Sequence, residues 1–274
     1  MNRAAFYASL RKRGSGVFGT SISQGQVEGC EAILDEAERR GTPRNALAYL
    51  LATPYHETGG RMLPNVENLT YTSAARIRAV WPSRFPSLES AKPFVRNPKG
   101  LANKAYSGRL GNRPGSDDGY AFRGRGLPHL TGRANYAKAS AALGVDLVAD
   151  PERALELPIA VKVLFDGLGR GWFTGKGLGD YIDVLDEADG EDGREFANAR
   201  RTVNGTDQAL KVAGYALSFE EALAAAGYPV TPRRPVPTPP PVELPKSRQS
   251  PPLAEPGFLA GLLAALVALF KPKG

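Results

Sequence analysis

The chain has 274 residues but a single cysteine, Cys30, and only two histidines, His56 and His129. One cysteine excludes an intrachain disulfide and a thiolate metal cluster. A zinc-hydrolase helix needs a second histidine four residues after the first. Here His56-Glu57 runs into Thr58-Gly59-Gly60, so glycine stands at that place. No metal and no cofactor are expected, and His56 reads as a hydrogen-bonded imidazole that buttresses a helix end. The N-terminus "MNRAAFYASLRKRG" is basic but lacks a continuous apolar run, so it does not read as a secretory signal. Synthesis in a cytoplasm follows, and action outside requires delivery by other means. Sustained apolar–polar alternation is missing too; "YAFRGRGLPHL" can supply at most a short hairpin.

Acidic residues are outnumbered, with a formal net charge of +7 and a pI near 9.5. That balance favours polyanionic surroundings: nucleic acid, anionic lipid or a bacterial wall. From position 231 onward six basic residues face two acids, leaving +3 for the body. The body reads as mildly basic without a stripe that could track phosphates, and no nucleic-acid partner is expected.

What is abundant is helical punctuation. Ser23 and Gln26 form a capping box, and Val27, Cys30, Ile33, Leu34 and Ala37 share a stripe that Gly41 ends. Thr42-Pro43 opens a second helix, with Ala46, Leu47, Leu50 and Leu51 on one face. Pro54 removes a backbone donor and is expected to kink or break its last turn before Glu57. Thr72 can cap a short helix stopped by Pro82, and Thr131-Gly132 introduces "RANYAKASAAL", closed by Gly144. Helices at Asp150-Pro151 and Pro158 follow, then a pair over 191–203 and 207–226. The expected fold is mainly α, with a body over 1–228.

After Gly227 the composition changes. The stretch 229–256 is rich in proline and reads as a semi-rigid extended linker. Residues 257–274 form an apolar tail, uncharged from Phe258 to Phe270. As a helix those residues span roughly 20 Å, short of the ~30 Å hydrocarbon core. The tail is a marginal span or a docking helix, with membrane contact the favoured reading.

Two glutamates ten positions apart, Glu57 and Glu67, flank a Gly-Gly turn in "TPYHETGGRMLPNVEN". Cleavage of a glycosidic bond needs one protonated carboxyl and one ionised carboxylate on the opposite face. Glu57 closes an apolar helix, where burial is expected to raise its pKa and suit it to the acid role. A second cluster, "NKAYSGRLGN" and "DGYAFRGRGLPHLTGRANY", crowds arginines, glycines and rings such as Tyr106 and Tyr120. Such rings offer faces for sugar stacking, while His129, Thr131 and Asn135 offer partners for hydroxyl and N-acetyl groups. Arg123, Arg125 and Arg133 read equally well as solvated surface charges.

"YHETGG", "VENLTY", "GYAFRGRGLPHLTGRANY" and "RRTVNGT" occur in the order found in glycoside hydrolase family 19, and over about 20–226 the chain resembles its phage endolysin branch. The resemblance implies a two-lobed, lysozyme-like fold with a central cleft and an inverting mechanism. It implies Glu57 as general acid, Glu67 as general base, and His129, Thr131, Asn135 and Asn204 as sugar- and water-holding positions. Two departures stand out. His129 replaces the family's sugar-contacting glutamine, and the arginine after the "NGG" turn has no match, with Arg201 the candidate substitute. The implied activity is hydrolysis of β-1,4 bonds in bacterial cell-wall glycan. The rivals are a chitinase and a non-catalytic glycan-binding virion or envelope protein.

Overall fold

Residues 1–183 and 191–230 are described by a computed structural model. They form eleven α-helices: α1 (Arg3–Leu10), α2 (Gln24–Arg40), α3 (Arg44–Glu57), α4 (Ala74–Val80), α5 (Leu88–Ala91), α6 (Pro98–Ala105), α7 (Asp118–Ala121), α8 (Arg133–Leu143), α9 (Leu157–Gly169), α10 (Asp192–Ala199) and α11 (Ala209–Ala225). Two short strands, β1 (Asn65–Val66) and β2 (Arg125–Gly126), pair antiparallel. The chain is mainly α, as its punctuation predicts.

Local chemistry sets most helix ends. Ser23 Oγ accepts from Gln26 N–H at 3.3 Å while Gln26 Oε1 accepts from Ser23 N–H at 2.8 Å, so α2 starts on the expected capping box. Gly41 closes it at φ 67°, the left-handed conformation glycine adopts without a Cβ clash. The cap of α4 is Ser73 rather than Thr72, accepting from Arg76 N–H at 3.2 Å. Pro54 does not break α3, which continues to Glu57. The Thr53 and Thr58 hydroxyls donate to Tyr49 O and Pro54 O, at 3.1 and 2.7 Å, around the missing donor.

Three apolar cores organise the molecule. The largest gathers α1, α2, α3, α9, α10 and α11, with α3 buried on every side from Asn45 to Pro54. Each fully buried Leu or Phe in such a core contributes about 1.5–3 kcal/mol. A second core, from Leu69 to Tyr106, belongs to α4, α5 and α6. A third joins α8 to one face of α9, whose other face serves the first core. A helix used on both sides is apolar all round, and α9 is buried from Ile159 to Val161 and from Val163 to Leu168.

The long-range pairing is between Asn65 and Gly126 and between Val66 and Arg125. Within "YAFRGRGLPHL" only Arg125 and Leu130 bridge, so the expected hairpin is a single pair. The larger consequence is that residues 65–67, just after the glycine turn, lie against 124–126. Among the described residues no helix is long and apolar enough to cross a membrane. The apolar tail at 257–274 and nearly all of the linker at 229–256 lie outside the described residues.

Candidate active site

Glu57 is the last residue of α3 and is 4% exposed. Its Oε1 accepts from Arg200 Nη1 at 2.6 Å, an ion pair with both side chains sealed from solvent. Arg200 follows α10 on the same stripe as the buried Asp192, Phe196 and Ala199, which turns its side chain inward. Its Nε donates to Asp207 O at 3.0 Å. Arg201, the candidate substitute for the arginine after the turn, instead points to Asn198 on the surface, and the arginine that meets Glu57 is its neighbour Arg200. The signal that could have found it was helical: an arginine on a buried stripe needs a buried acid.

Burial pushes the Glu57 carboxyl up, but the charge and hydrogen bond of Arg200, with His56 and His129, outweigh it and hold Glu57 below its usual range. This reverses the expectation that burial alone would raise it. Glu67, 5% exposed, goes the other way. Burial pushes it up and prevails over the Gly124 N–H, the Tyr106 hydroxyl and the charges of Arg123 and Arg125.

Glu67 is gripped at both oxygens. Gly124 N–H donates to Oε1 at 2.6 Å and Tyr106 OH to Oε2 at 2.7 Å, while Glu67 N–H donates to Gly124 O at 2.9 Å. Tyr106 is thus fully buried behind a carboxylate rather than offered to a sugar. A side chain at 124 would have its Cβ 3.2 Å from Thr131 Oγ1, 3.3 Å from His129 Cβ and 3.4 Å from Glu67 Cβ, so glycine is what lets these groups converge.

His129 lies within electrostatic reach of Glu57. Its backbone is in the left-handed region at φ 54°, a strained choice for a non-glycine residue, and its Nε2 lies 2.7 Å from Asn65 Oδ1. Burial lowers its pKa and the charge of Glu57 opposes that. Thr131 Oγ1 donates to His129 O at 2.8 Å, and Asn135 Nδ2 donates to Thr131 O at 2.9 Å. Asn204, wholly buried, has neither side-chain polar atom bonded. Thr202 Oγ1, Arg200 Nη2 and His129 Nδ1 are buried without partners as well. Buried polar atoms left unbonded cost about 1–3 kcal/mol each, so Thr202, Asn204 and Arg200 Nη2, close together in the chain and tied through Arg200 to Glu57, are open to a polar ligand.

The other candidates are placed differently from expectation. His56 Nε2 is buried without a hydrogen-bond partner, and the ring tilts against Tyr215 at 6.4 Å, so it is not the bonded buttress expected. Tyr120 is half-buried with Arg123 over its ring at 4.1 Å. Arg125 is no solvated charge: it is 2% exposed, donates to Ala121 O at 2.7 Å and Tyr136 OH at 3.1 Å, and pairs with Glu152. It braces the loop that presents Gly124. Among the described residues no three His, Cys, Asp or Glu side chains gather around a metal position.

No protein-family model matches the chain. A curated Haemophilus influenzae protein described as a glycosyl hydrolase family 19 domain-containing protein is 38% identical over 135 residues, covering 48% of this chain and 66% of that protein. The chain therefore spans just under two thirds of that relative, whose description names the family read from the separated motifs but not its phage branch. A crystal structure of chitinase C from Streptomyces griseus is 17% identical with a TM-score of 0.47, over 84% of this chain and 78% of that one. A mutant chitinase C is 18% identical with a TM-score of 0.44, over the same shares.

Proposed function

We propose that the chain is a glycoside hydrolase of the family 19 kind, with an endolysin-like role, cutting β-1,4 bonds in peptidoglycan by single displacement of water. The observation that carries this reading is the pair of buried acids contributed by different parts of the fold, Glu57 held by Arg200 and Glu67 by Tyr106 and Gly124. One carboxyl must give a proton to the glycosidic oxygen and the other must take one from water. Groups whose environments push their pKa values apart suit that division.

The resemblance assigns the proton donor to Glu57. In the resting site Arg200 favours its ionised form, so glycan entry has to weaken that ion pair before Glu57 can hold a proton. Unbonded Asn204 and Thr202 nearby supply partners for hydroxyl and N-acetyl groups while this happens. Glu67, aimed by Tyr106 and Gly124, activates water beside Thr131. The pKa directions favour a second reading with the roles exchanged, Glu67 donating and Glu57 accepting.

Leaving-group chemistry separates the two readings. A glycoside with a strongly acidic aryl leaving group needs no proton donor, so loss of the acid is masked and loss of the base is not. Glu57→Gln should retain activity on that substrate while losing it on glycan; the reverse pattern assigns the acid to Glu67. Folded variants at both sites with undiminished glycan cleavage would refute both readings. Product analysis on peptidoglycan and chitin side by side tests the substrate, and a cleared zymogram band distinguishes an enzyme from a glycan-binding scaffold.

A further inference from the structure

The mild average charge of the body hides a segregation. Residues 61–140 carry fourteen lysines and arginines against four acids, a net +10 in a chain whose total is +7. This stretch contains α4 to α7 and the first part of α8, together with Glu67, Gly124 and Thr131. The remaining body, 1–60 and 141–230, is correspondingly acidic.

Most of the acids in this stretch are already engaged. Glu89 pairs with Lys92 at 2.6 Å and Asp117 with Lys99 at 2.7 Å. Asp118 holds Arg113 at 2.9 Å and Arg133 at 3.7 Å. Glu67 is sealed in the site, and Glu152, from outside the stretch, takes Arg123 and Arg125. Arg78, Arg96, Lys104 and Lys138 are exposed, and no carboxylate among the described residues pairs with them. Half-buried Arg84 stands beside Arg109, whose guanidinium is pressed below its usual value by burial and by that neighbouring charge. Arg84 Nε is buried without a partner, while its Nη2 donates to Ser107 O at 2.8 Å.

We propose that the basic region around the second apolar core is a docking surface for the carboxylates of peptide stems on the wall glycan, so that the chain favours this anionic polymer over neutral chitin. The inference rests on the glycan-hydrolase reading and specifies its substrate class. The stretch that carries these cations also carries Glu67, so the basic region and one of the two acids come from the same part of the chain. Arginine, dominant here, matches carboxylates with two parallel N–H donors. The acidic remainder of the body repels the same polymer and biases its approach towards this basic region.

The test uses the full chain carrying Glu57→Gln, so that binding is read without cleavage. The probes are sacculi free of phosphate polymers, the same sacculi with carboxylates amidated, and chitin. Binding to native sacculi should weaken about tenfold or more between low and high salt, as expected for a screened charge contact. Adding Arg78→Glu, Arg96→Glu and Lys104→Glu should produce a loss of about the same size, with circular dichroism and melting temperature matched to the parent. Amidated sacculi and chitin should bind weakly and without salt dependence. Salt-insensitive binding, equal binding to amidated sacculi, or a folded triple variant that binds like its parent would each overturn the docking surface. Hydrolysis by the unsubstituted chain is scored separately. Cleavage without charge-dependent binding removes only this inference, whereas charge-dependent binding without any cleavage removes the hydrolase reading.

Discussion

Replacing Arg200 with methionine tests the electrostatics of the site at its centre. Methionine keeps much of the volume of the side chain and removes the charge that faces Glu57. The pair is sealed, with side-chain exposures of 0% and 1%, so solvent cannot compensate a lone carboxylate. Breaking a buried pair by deleting one partner costs about 3–5 kcal/mol. Glu57 can limit the cost by taking up a proton, so a loss near 3 kcal/mol at neutral pH is expected, lowering Tm by roughly 6–12 °C for a body of this size. The pH dependence carries the sharper signature. In the parent, Glu57 sits below its ordinary value of 4.5, so its contribution is present above that value and fades as pH falls through the depressed one. In the variant, burial dominates and the pKa is raised, so stability is retained at low pH and lost as pH rises through the new value. The gap between parent and variant should therefore be small only below the depressed Glu57 value and widen from there as pH rises towards neutrality. Thermal unfolding followed by circular dichroism across that range reads it directly. A gap that does not change with pH, or a variant as stable as the parent at neutral pH, would refute the reasoning.

Tyr106→Phe removes a donor that lowers the Glu67 pKa, so Glu67 should titrate at still higher pH, moving the acidic limb of kcat/KM upward if Glu67 is the base; an unmoved limb would sink the proposed grip. Ser23→Ala deletes half of the capping box and should cost about 1 kcal/mol, seen as a Tm drop without loss of activity. Gly132→Ala requires an unfavourable φ of 87° and a Cβ 2.2 Å from Leu110 Cβ, so marked destabilisation is expected, and a neutral Tm would contradict the local geometry. Deleting 257–274 should release the chain from sedimenting membranes; unchanged sedimentation would rule out an anchoring role for the tail.

Which features were legible depends on the range over which their causes act. The capping box at Ser23, the Gly41 stop and the helices opened by Gly132 and Pro158 depend on neighbours a few residues away, and all are present. Helix α1 had its own signals, an Asn2 cap with Phe6 and Leu10 one turn apart, yet the helical run read from the sequence began only at residue 23. The two acids stood out because chemistry singles out paired carboxylates, but their electrostatics did not. The Glu57 shift depends on an arginine 143 positions away, and adjacent Arg200 and Arg201 differ only in which side of a helical turn they occupy. Tyr106 looked like a sugar platform because aromatic rings near glycines read that way. Its bond to Glu67 joins the end of α6 to the residue after β1, 39 positions away, a contact that no local pattern announces.

The most direct measurement is mass spectrometry of fragments released from purified sacculi by the parent, Glu57→Gln and Glu67→Gln, each shown by circular dichroism to be folded at the assay temperature. The parent should generate new reducing sugar ends, and each variant should fall by about 10²-fold or more. Equal release by either folded variant, or no new sugar end from the parent, would contradict the two-carboxylate account.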